Sequence, residues 1–579
     1  MALTYYSWQG AVNASAIFSP YHDPIAKALH FDVAEEALAP VTSALGSVTG
    51  KFIVCLFASY LVGLVNAFLP RGIARHIWLA VNGMVACAFV FGAPWMLLAA
   101  SVCIVYVLLL LASLIKGTGA TVLAVVAAVA AFDIMFSRHI VRAGASAVGL
   151  DDCAAQMVMF LKLAHLCFAV ADGAGNLEGL KAQASANTDG KPKKALFAKK
   201  AAIGRLTRAL SFVPSIHAVL GYCFNPTTAM AGPAFDFSVY TIAQDGLLIK
   251  DGKPSPLSKA QAKRLASAWS LPRALFGLAF GVVLMALFSI GSGFFPVDSL
   301  FDTTLARATI SSFFPADNET VTWLANVVSG ADTVTHPVVS VAITWGWLSL
   351  IQLVVRLQYY GSWIVAEGAS ATAGLGLDPA WVAEADSSKA KPVEALTTGD
   401  HFNAFAKANN IDPVAVETAT EYKTAINQWN KHTQAWLAES IFKRAPTAFG
   451  FNNHATFVVS ALWHGVFPGY FLSLPVMAVA VPAMTAAHAP IKGFLEAVFG
   501  SAKQWGYLGP IGWMVRWFFV VGLLNYFMAP FMLLDLTRGL QLLSRTYYFA
   551  HVYILICIVA SIILPFLVPK AKTAKAKTE

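Results

Sequence analysis

Long runs of apolar residues without a charged side chain recur along the sequence. Phe52–Pro70 is one such run, bounded by Lys51 and Arg71, and Ile77–Ile115 is uncharged over a length that suits two helices. A helix that crosses a membrane needs about 20 apolar residues. Because proline interrupts the hydrogen-bond ladder of a helix, the tripeptide Gly92-Ala93-Pro94 predicts the boundary between these two helices.

The same length rule predicts further spans in the rest of the chain. The clearest are Gly117–Met135, Ala274–Val297, Pro337–Val355, Ala455–Ala487, Trp517–Leu534 and Thr546–Val568, and the weaker ones are Ala154–Val170, Phe212–Ala231 and Tyr359–Leu377. No stretch alternates apolar and polar residues as a barrel strand does. The predicted fold class is therefore all-α, a polytopic membrane protein of about 10–11 transmembrane helices.

Composition supports a membrane location, and the role of the excess positive charge has two possible interpretations. Hydrophobic residues make up 57% of the chain and charged residues only 12%, against roughly 25% in a soluble domain. The net charge of +9 is concentrated in Lys181–Arg208 and in the tail after Pro569. This excess suits contact with anionic headgroups or an anionic cofactor, and it equally suits cytosolic flanks. The seven cysteines lack metal-type spacing, so they indicate core packing and no metal site.

His464 stands out because it is the one side chain that titrates near neutral pH within the charge-free segment Ala455–Ala487. An ionisable group at membrane depth is costly, so it is by default a functional hypothesis. Gly465, Pro468 and Gly469 interrupt the helix directly after it, and irregular backbone at this depth lines a cavity or is buried in protein. The pattern indicates a histidine general base, with a hydrogen-bonded core histidine as the alternative.

A second polar signature lies upstream, in a segment predicted as one amphipathic helix over Glu421–Arg444 that ends before Pro446. At 100° per residue, Asn430 shares a face with Ile426 and Leu437. A buried amide must find hydrogen-bond partners or leave costly unpaired groups. Asn430 is therefore the second candidate catalytic residue, with a helix contact or a local cap as the alternative.

Four motifs in this order resemble the membrane-bound O-acyltransferase family, specifically its lysophospholipid acyltransferase branch. They are Pro226-Thr-Thr-Ala-Met-Ala-Gly232-Pro233, Tyr359-Tyr360-Gly-Ser-Trp363 continuing to Glu367-Gly368, Trp429-Asn430-x-x-Thr433-x-x-Trp436, and Ser460-Ala-Leu-Trp463-His464-Gly-Val-Phe-Pro-Gly-Tyr470. The resemblance implies a fold with a central intramembrane reaction chamber and a catalytic core of about residues 212–487. With it, the chain divides into residues 1–50, a membrane domain at 51–569 and a basic cytosolic tail at 570–579.

The implied reaction joins a fatty acyl group from acyl-CoA to the free hydroxyl of a lysophospholipid, as in phospholipid remodelling. His464 would accept the hydroxyl proton, and Asn430 would orient the reactants or donate to the developing oxyanion. Acyl-CoA is then a co-substrate and no cofactor stays bound. The implied partners are these two substrates and membrane lipids, with no nucleic acid. The implied location is the endoplasmic reticulum membrane, and Lys570, Lys572, Lys575 and Lys577 predict a cytosolic tail.

Further residues of the motifs are candidates for substrate binding. Trp429, Trp436 and Trp463 would wall the acyl tunnel, or would simply pack. Thr433, Ser460, Tyr359 and Tyr360 belong to the same motifs, and Lys431, Lys443, Arg444 and Arg356 would meet the phosphates of CoA. Glu367 is expected to order polar groups in the chamber or to pair with Arg356, which lies on a similar helical face.

Two alternatives remain open from the sequence. One is another branch of the same superfamily, which acylates sterols, diacylglycerol or proteins. The other is a channel or transporter that uses His464 as a proton relay, and this alternative predicts more ionisable residues in several spans and internal repeats.

Overall fold

Helices account for nearly all regular structure in this computed structural model. The structure describes residues 14–40, 47–144, 152–175, 177–188, 191–268, 270–314, 318–331, 336–388, 390–499 and 509–567. Within these residues one small antiparallel hairpin is the only sheet, so the predicted all-α class is confirmed. The basic tail at 570–579 lies outside the described residues.

The helices before the hairpin include most of the early membrane spans. They are α1 (Ala14–Ala28), α2 (Phe31–Ala37), α3 (Ser47–Phe68), α4 (Ile73–Phe91), α5 (Trp95–Ser113), α6 (Thr118–Gly144), α7 (Asp152–Gly175), α8 (Leu177–Ser185), α9 (Lys193–Leu206), α10 (Ile216–Phe224) and α11 (Phe237–Asp245). The hairpin pairs β1 (Leu247–Lys250) with β2 (Lys253–Pro256).

The helices after the hairpin alternate long spans with short connecting turns. They are α12 (Lys259–Ser267), α13 (Leu271–Phe294), α14 (Thr303–Ser311), α15 (Glu319–Ser329), α16 (Pro337–Thr372), α17 (Pro379–Ala383), α18 (Thr398–Ala404), α19 (Pro413–Glu417), α20 (Tyr422–Gln428), α21 (Lys431–Trp436), α22 (Phe451–His464), α23 (Pro468–Phe499), α24 (Gly509–Trp517), α25 (Leu523–Leu533), α26 (Leu536–Arg545) and α27 (Phe549–Leu567). Two π-helical segments occur at Leu437–Phe442 and Phe518–Gly522. Short 3₁₀ turns lie at Val297–Leu300, Glu384–Asp386, Val393–Ala395, Ala406–Ala408 and Ala448–Gly450.

Ten helices in the described part of the chain are long and apolar enough to cross a membrane. They run over Val48–Phe68, Ile73–Phe91, Trp95–Ser113, Thr118–Ala143, Asp152–Gly175, Lys259–Phe294, Pro337–Thr372, Pro468–Ile491, Pro510–Leu533 and Phe549–Leu567. This agrees with the predicted number of spans, and the predicted break at Pro94 separates α4 from α5. The protein is an integral, multi-pass membrane protein.

Two predicted spans are corrected by the structure. Phe212–Ala231 does not span, because α10 has only 9 residues. The ammonium of Lys162 accounts for this, since it donates to the carbonyls of Tyr222 and Cys223 at 3.0 Å and replaces the next helical turn as their partner. The stretch Tyr359–Leu377 is not a separate span, because it continues the 36-residue helix α16.

Helices α13 and α16 pack closely along a row of glycines, here called the glycine seam (Gly277, Gly281, Gly361 and Gly368). A Cβ atom on Gly277 would lie 2.7 Å from the Cα atom of Gly368, and one on Gly361 would lie 2.4 Å from Met285. Small residues let helix backbones approach closely in a membrane, where the gain comes from van der Waals packing. The seam fixes α16, which carries four of the predicted site residues (Arg356, Tyr359, Tyr360 and Glu367), against α13.

Helix α7 lies at the centre of the molecule. In its apolar 18-residue stretch 72% of the residues are buried, against 44% or less in the corresponding stretches of the other nine spans of the described chain. Its Phe160 packs edge-on against Trp436 with ring centroids 5.1 Å apart. The central helix thereby contacts the segment that carries Asn430.

Candidate active site

The predicted amphipathic helix over Glu421–Arg444 is broken at Asn430. Helix α20 ends at Gln428, α21 begins at Lys431, and Asn430 between them has the left-handed backbone conformation φ 43°, ψ 58°. Asparagine tolerates this conformation better than most residues. The continuous helix was therefore a wrong prediction, because periodicity along a helix does not reveal a single left-handed residue.

A neighbouring loop occupies the break and supplies the hydrogen bonds that a continuous helix would have made. The Asn410 carbonyl accepts from the Lys431 N–H at 2.7 Å, and the Asn410 Oδ1 accepts from the His432 N–H at 3.2 Å. The Asp412 N–H donates to the Gln428 carbonyl at 3.1 Å. Both ends of the break are thus satisfied by residues 410–412.

The side chain of Asn430 is held at one end only. Its Oδ1 accepts from the Thr433 hydroxyl at 2.9 Å. Among the described residues nothing accepts from its Nδ2, so this N–H group is left to donate to a bound molecule. The contact gives Thr433 a role in orienting the amide of Asn430.

His464 is the last residue of α22 and precedes a sharp break. Gly465 has φ 128°, and a Cβ atom there would lie 3.1 Å from the ring of His139, so only glycine fits. The imidazole of His464 is half-buried among aromatic rings, with centroid distances of 4.6 Å to Trp463, 4.7 Å to Phe531 and 5.5 Å to Tyr470. No described residue hydrogen-bonds to either ring nitrogen, which does not support the alternative of a hydrogen-bonded core histidine.

His139 is a site residue that the sequence interpretation missed. Its Nε2 lies 3.1 Å from the Trp463 carbonyl and its ring packs against Gly465. It lies beyond the predicted end of the span Gly117–Met135, in the last turns of α6. Arg138 beside it forms a two-pronged pair with Asp152 at 2.6 and 2.8 Å, which anchors α6 to α7.

The three predicted tunnel tryptophans separate into two aromatic groups. Trp436 and Trp463 are both buried, with ring centroids 6.4 Å apart, and this contact joins the Asn430 segment to the His464 helix. Trp429 instead packs against Trp363 of α16 at 5.2 Å. Asn430 and Trp436 are about 9 Å apart along α21 at 1.5 Å per residue. No direct hydrogen bond links Asn430 to His464 in the described chain, so a substrate would have to lie between them.

The remaining motif residues have identifiable neighbours. Ser460 is buried one helical turn before His464, on the same face of α22. Tyr359 is 43% exposed, and its ring packs against Trp429 at 5.9 Å. Tyr360 is buried, with its hydroxyl donating to Glu417 at 2.6 Å.

The expected pair between Glu367 and Arg356 does not form. Arg356 binds the Glu417 carboxylate at 2.6 and 2.9 Å and also donates to Asn525. Glu367 pairs with Arg273 of α13 at 2.5 Å. The two predicted partners share a helix face, but they lie about 16 Å apart along the axis at 1.5 Å per residue, too far to touch.

Lys443 and Arg444 belong to a larger ionic cluster between α7, α9 and the π-helical segment. The ionic cluster comprises Asp172, Arg205, Arg208, Asp236, Glu439, Lys443 and Arg444. Arg205 and Arg444 share the Asp172 carboxylate at 2.6 Å each, while Lys443 and Arg208 meet Glu439. A small cavity opens among these side chains.

The balance of charge in the ionic cluster is positive, with four cations against three carboxylates. Burial opposes the charge of Arg208, yet the carboxylates of Asp236 and Glu439 raise the pKa of Arg208 above its usual value. The Arg208 guanidinium therefore stays charged at neutral pH. Arg356 is not a member, because its guanidinium is buried against Glu417.

Comparison with known proteins shows what the segment that carries the candidate site is similar to. Residues 330–489, which include Asn430 and His464, match the model of the membrane-bound O-acyltransferase family. The chain is 25% identical to the lysophospholipid acyltransferase of Schizosaccharomyces pombe over 73% of its own length and 69% of that protein. It is 23% identical to the lysophospholipid acyltransferase of Saccharomyces cerevisiae over 60% and 50% of the two lengths.

A third relative is membrane-bound acylglycerophosphatidylinositol O-acyltransferase MBOAT7 of Homo sapiens, 24% identical over 58% of this chain and 61% of that protein. The chain thus spans between 50% and 69% of the length of these three relatives. None of them is a channel or transporter by name, and the match weighs against that alternative. Over residues 330–489 the chain is similar to the membrane-bound O-acyltransferase family, and over a larger part of its length it is similar to lysophospholipid acyltransferases.

Proposed function

We propose that the protein is a lysophospholipid acyltransferase that transfers a fatty acyl group from acyl-CoA to the free hydroxyl of a lysophospholipid. The observation that carries the proposal is the pair of polar groups without described partners, the His464 imidazole and the Asn430 Nδ2. Both lie within the family match, and a buried Trp436–Trp463 contact joins the two helices, α21 and α22, whose ends they mark. The names of the relatives supply the class of acceptor.

In the proposed reaction His464 takes the proton from the glycerol hydroxyl as the oxygen attacks the thioester carbonyl. A new C–O bond forms, and the carbonyl electron pair moves to the oxygen of a tetrahedral intermediate. The Asn430 Nδ2 donates to that oxyanion. The intermediate collapses with loss of the C–S bond, and the imidazolium returns its proton to the CoA thiolate. No covalent acyl-enzyme is required, because the acceptor hydroxyl is itself the nucleophile.

The ionic cluster is the proposed contact for the phosphates of CoA. CoA is polyanionic, and arginine and lysine side chains bind phosphate oxygens by charge-assisted hydrogen bonds. Lys443 and Arg444 keep the role expected from the sequence, and Arg205 and Arg208 join them. Arg356 is not assigned to CoA, since its charge is committed to Glu417.

The proposed location is the endoplasmic reticulum membrane with a cytosolic C-terminus. The lysines that support this orientation, Lys570, Lys572, Lys575 and Lys577, lie outside the described residues. Positive residues next to a span are retained on the cytosolic side.

The test is an acyl-transfer assay on the purified full-length protein, with a panel of lysophospholipids against a panel of acyl-CoAs. We expect phospholipid formation that requires both substrates and releases one CoA for each acyl group transferred. Transfer to a sterol or to diacylglycerol, with none to any lysophospholipid, would instead assign the protein to another branch of the family. CoA release that needs no acceptor would contradict acyl transfer altogether.

A further inference from the structure

We infer that Arg273, Glu367 and Asn410 are positioning residues that fix Asn430 in its catalytic orientation through a continuous chain of buried contacts. The inference rests on the proposed acyl transfer, because it assigns a purpose to the geometry of Asn430. None of the three residues hydrogen-bonds to His464 or Asn430 in the described structure. Arg273 and Glu367 act through residues 409–411, and Asn410 acts through the N–H groups of Lys431 and His432.

The first step of the chain is a carboxylate whose two oxygens are both occupied. Glu367 is 3% exposed and Arg273 is 4% exposed. The Glu367 Oε1 accepts from the Asn410 N–H at 2.6 Å and the Ile411 N–H at 3.1 Å, while Oε2 accepts from Arg273 at 2.5 Å. Because one oxygen accepts from two successive backbone N–H groups, it fixes the backbone of the loop at residues 410 and 411. Both oxygens of this carboxylate thus serve the fold.

Arg273 of α13 also binds the loop at residues 409–412. Its guanidinium also donates to the side chain of Asn409, so α13 and α16 grip two successive residues of the loop. The glycine seam keeps these helices in register, with the Gly277 and Gly368 backbones in direct contact. The loop is therefore attached to two closely packed helices.

The second step connects the loop to the break. Asn410 is 2% exposed, and its backbone and side-chain oxygens accept the N–H groups of Lys431 and His432. These are the two residues that directly follow Asn430. The Asp412 N–H holds Gln428 on the other side. A non-glycine residue in the left-handed region is strained and persists only where its surroundings determine it fully.

Stability alone gives little reason for this arrangement. Replacing a buried ion pair by well-packed apolar residues is often neutral or stabilising, so an apolar contact would serve to hold α13 on α16. A buried carboxylate whose oxygens accept hydrogen bonds from the loop and from the arginine instead holds the loop in one position. Since that position determines where the Asn430 Nδ2 points, the chain sets the geometry of the proposed oxyanion donor.

The test is a double-mutant cycle between Asn410 and Asn430 in the purified full-length protein. Asn410→Ala keeps the backbone bonds to Glu367 and Lys431 but removes the acceptor for the His432 N–H. We expect kcat to fall on the order of tenfold with KM for both substrates nearly unchanged, because misplacing a catalytic group lowers the rate without removing a binding contact. In the background of Asn430→Ala, the same substitution should cost nothing further.

A matched pair of variants addresses the carboxylate. Glu367→Gln retains an oxygen for the two loop N–H groups, whereas Glu367→Ala removes it, so the glutamine variant should recover part of the kcat that the alanine variant loses. The control is Arg264→Gln, which breaks another buried arginine contact, to Glu384 at 2.8 Å, far along the chain from the loop. Its kcat should equal that of the wild type even where its melting temperature falls.

Hydrogen exchange of the amides of Lys431 and His432 separates this inference from the proposed function. Faster exchange in Glu367→Ala and Asn410→Ala, but not in Arg264→Gln, is expected whether or not the acceptor is a lysophospholipid. If the wild type transferred acyl groups and the losses of Asn410→Ala and Asn430→Ala multiplied, the positioning role would be overturned. Unchanged exchange in Glu367→Ala would overturn it as well, whereas an inactive wild type with accelerated exchange in the variants would count against the proposed function alone.

Discussion

At the scale of single residues, the site is defined by polar atoms that have no partner in the described chain. The Asn430 Oδ1 is held by Thr433 while its Nδ2 is free to donate, and neither nitrogen of His464 is engaged. Because no described hydrogen bond of the fold depends on these nitrogens, both side chains are expected to affect chemistry more than folding.

His464→Ala should abolish acyl transfer and leave the fold intact. Loss of a general base lowers the rate by on the order of 10²–10⁴-fold, and the half-buried ring makes no described hydrogen bond whose loss would destabilise the helix. Initial rates and the melting temperature of the purified variant measure the two effects. His488→Ala on the exposed side of α23 is the matched control, and it should behave as the wild type. Retention of substantial activity by His464→Ala would exclude the base role.

Substitution of Asn430 separates backbone conformation from chemistry. Asn430→Gly suits the φ of 43° and should fold as well as the wild type, yet lose on the order of 10²-fold in kcat through removal of a preorganised donor. Asn430→Asp should not restore the rate, because a carboxylate repels the oxyanion. Steady-state kinetics and thermal unfolding of both variants provide the test. An active glycine variant would show that only the turn, and not the amide, is needed.

At the scale of elements, the site depends on helices that stop. The helix is interrupted between α20 and α21 at Asn430, the segment Leu437–Phe442 is π-helical, and α22 ends before Gly465. Each interruption frees backbone groups that neighbouring elements must satisfy at membrane depth. The loop at residues 410–412 and His139 of α6 meet this need, so distant elements determine where these helices end.

Gly465→Ala should damage the site by straining the end of α22. A side chain at φ 128° is unfavourable, and its Cβ atom would lie 3.1 Å from the His139 ring, so we expect a cost of about 1–3 kcal/mol and a displaced His464. Activity and melting temperature should both fall. Gly346→Ala in α16 is the control, because a Cβ atom there meets nothing within 4 Å. Equal effects from the two substitutions would contradict the special role of Gly465.

At the scale of the whole molecule, tertiary contacts bring charges that are far apart in the sequence into one ionic cluster. Asp172 at the end of α7 is bound by Arg205 of α9 and by Arg444 after the π-helical segment. Each partner arrives on a different element, and the surplus of positive charge arises only from their assembly. A polyanionic substrate would be attracted here by the summed field rather than by one side chain.

Lys443→Gln and Arg205→Gln should each raise KM for acyl-CoA several-fold and leave KM for the lysophospholipid unchanged. Each removes one positive charge from the ionic cluster while Arg444 keeps its bond to Asp172. The effect should weaken as salt is added, because screening already reduces the attraction in the wild type. Lys263→Gln, which alters an exposed lysine paired with Glu394, is the control. A KM for acyl-CoA that is insensitive to these charges and to salt would move the CoA contact elsewhere.

The sequence by itself determined the class of the fold and the identity of the two candidate catalytic residues. Apolar run length predicted most of the spans, because the membrane thickness sets the required length. His464 was visible because a titratable side chain is rare in a charge-free segment, and Asn430 because the motif Trp-Asn-x-x-Thr resembles a family. These signals are local in the sequence, so they can be detected without knowing the tertiary contacts.

Only the tertiary structure decided where the helices break and how the charges pair. The helix predicted over Glu421–Arg444 is interrupted because a loop remote in sequence offers Asn410 as a partner at the break. Glu367 pairs with Arg273 and not with Arg356, because a shared helix face says nothing about distance along the axis. The physical reason is common to both cases: hydrogen bonds and ion pairs act over a few ångströms, and only the packed chain determines which groups come that close.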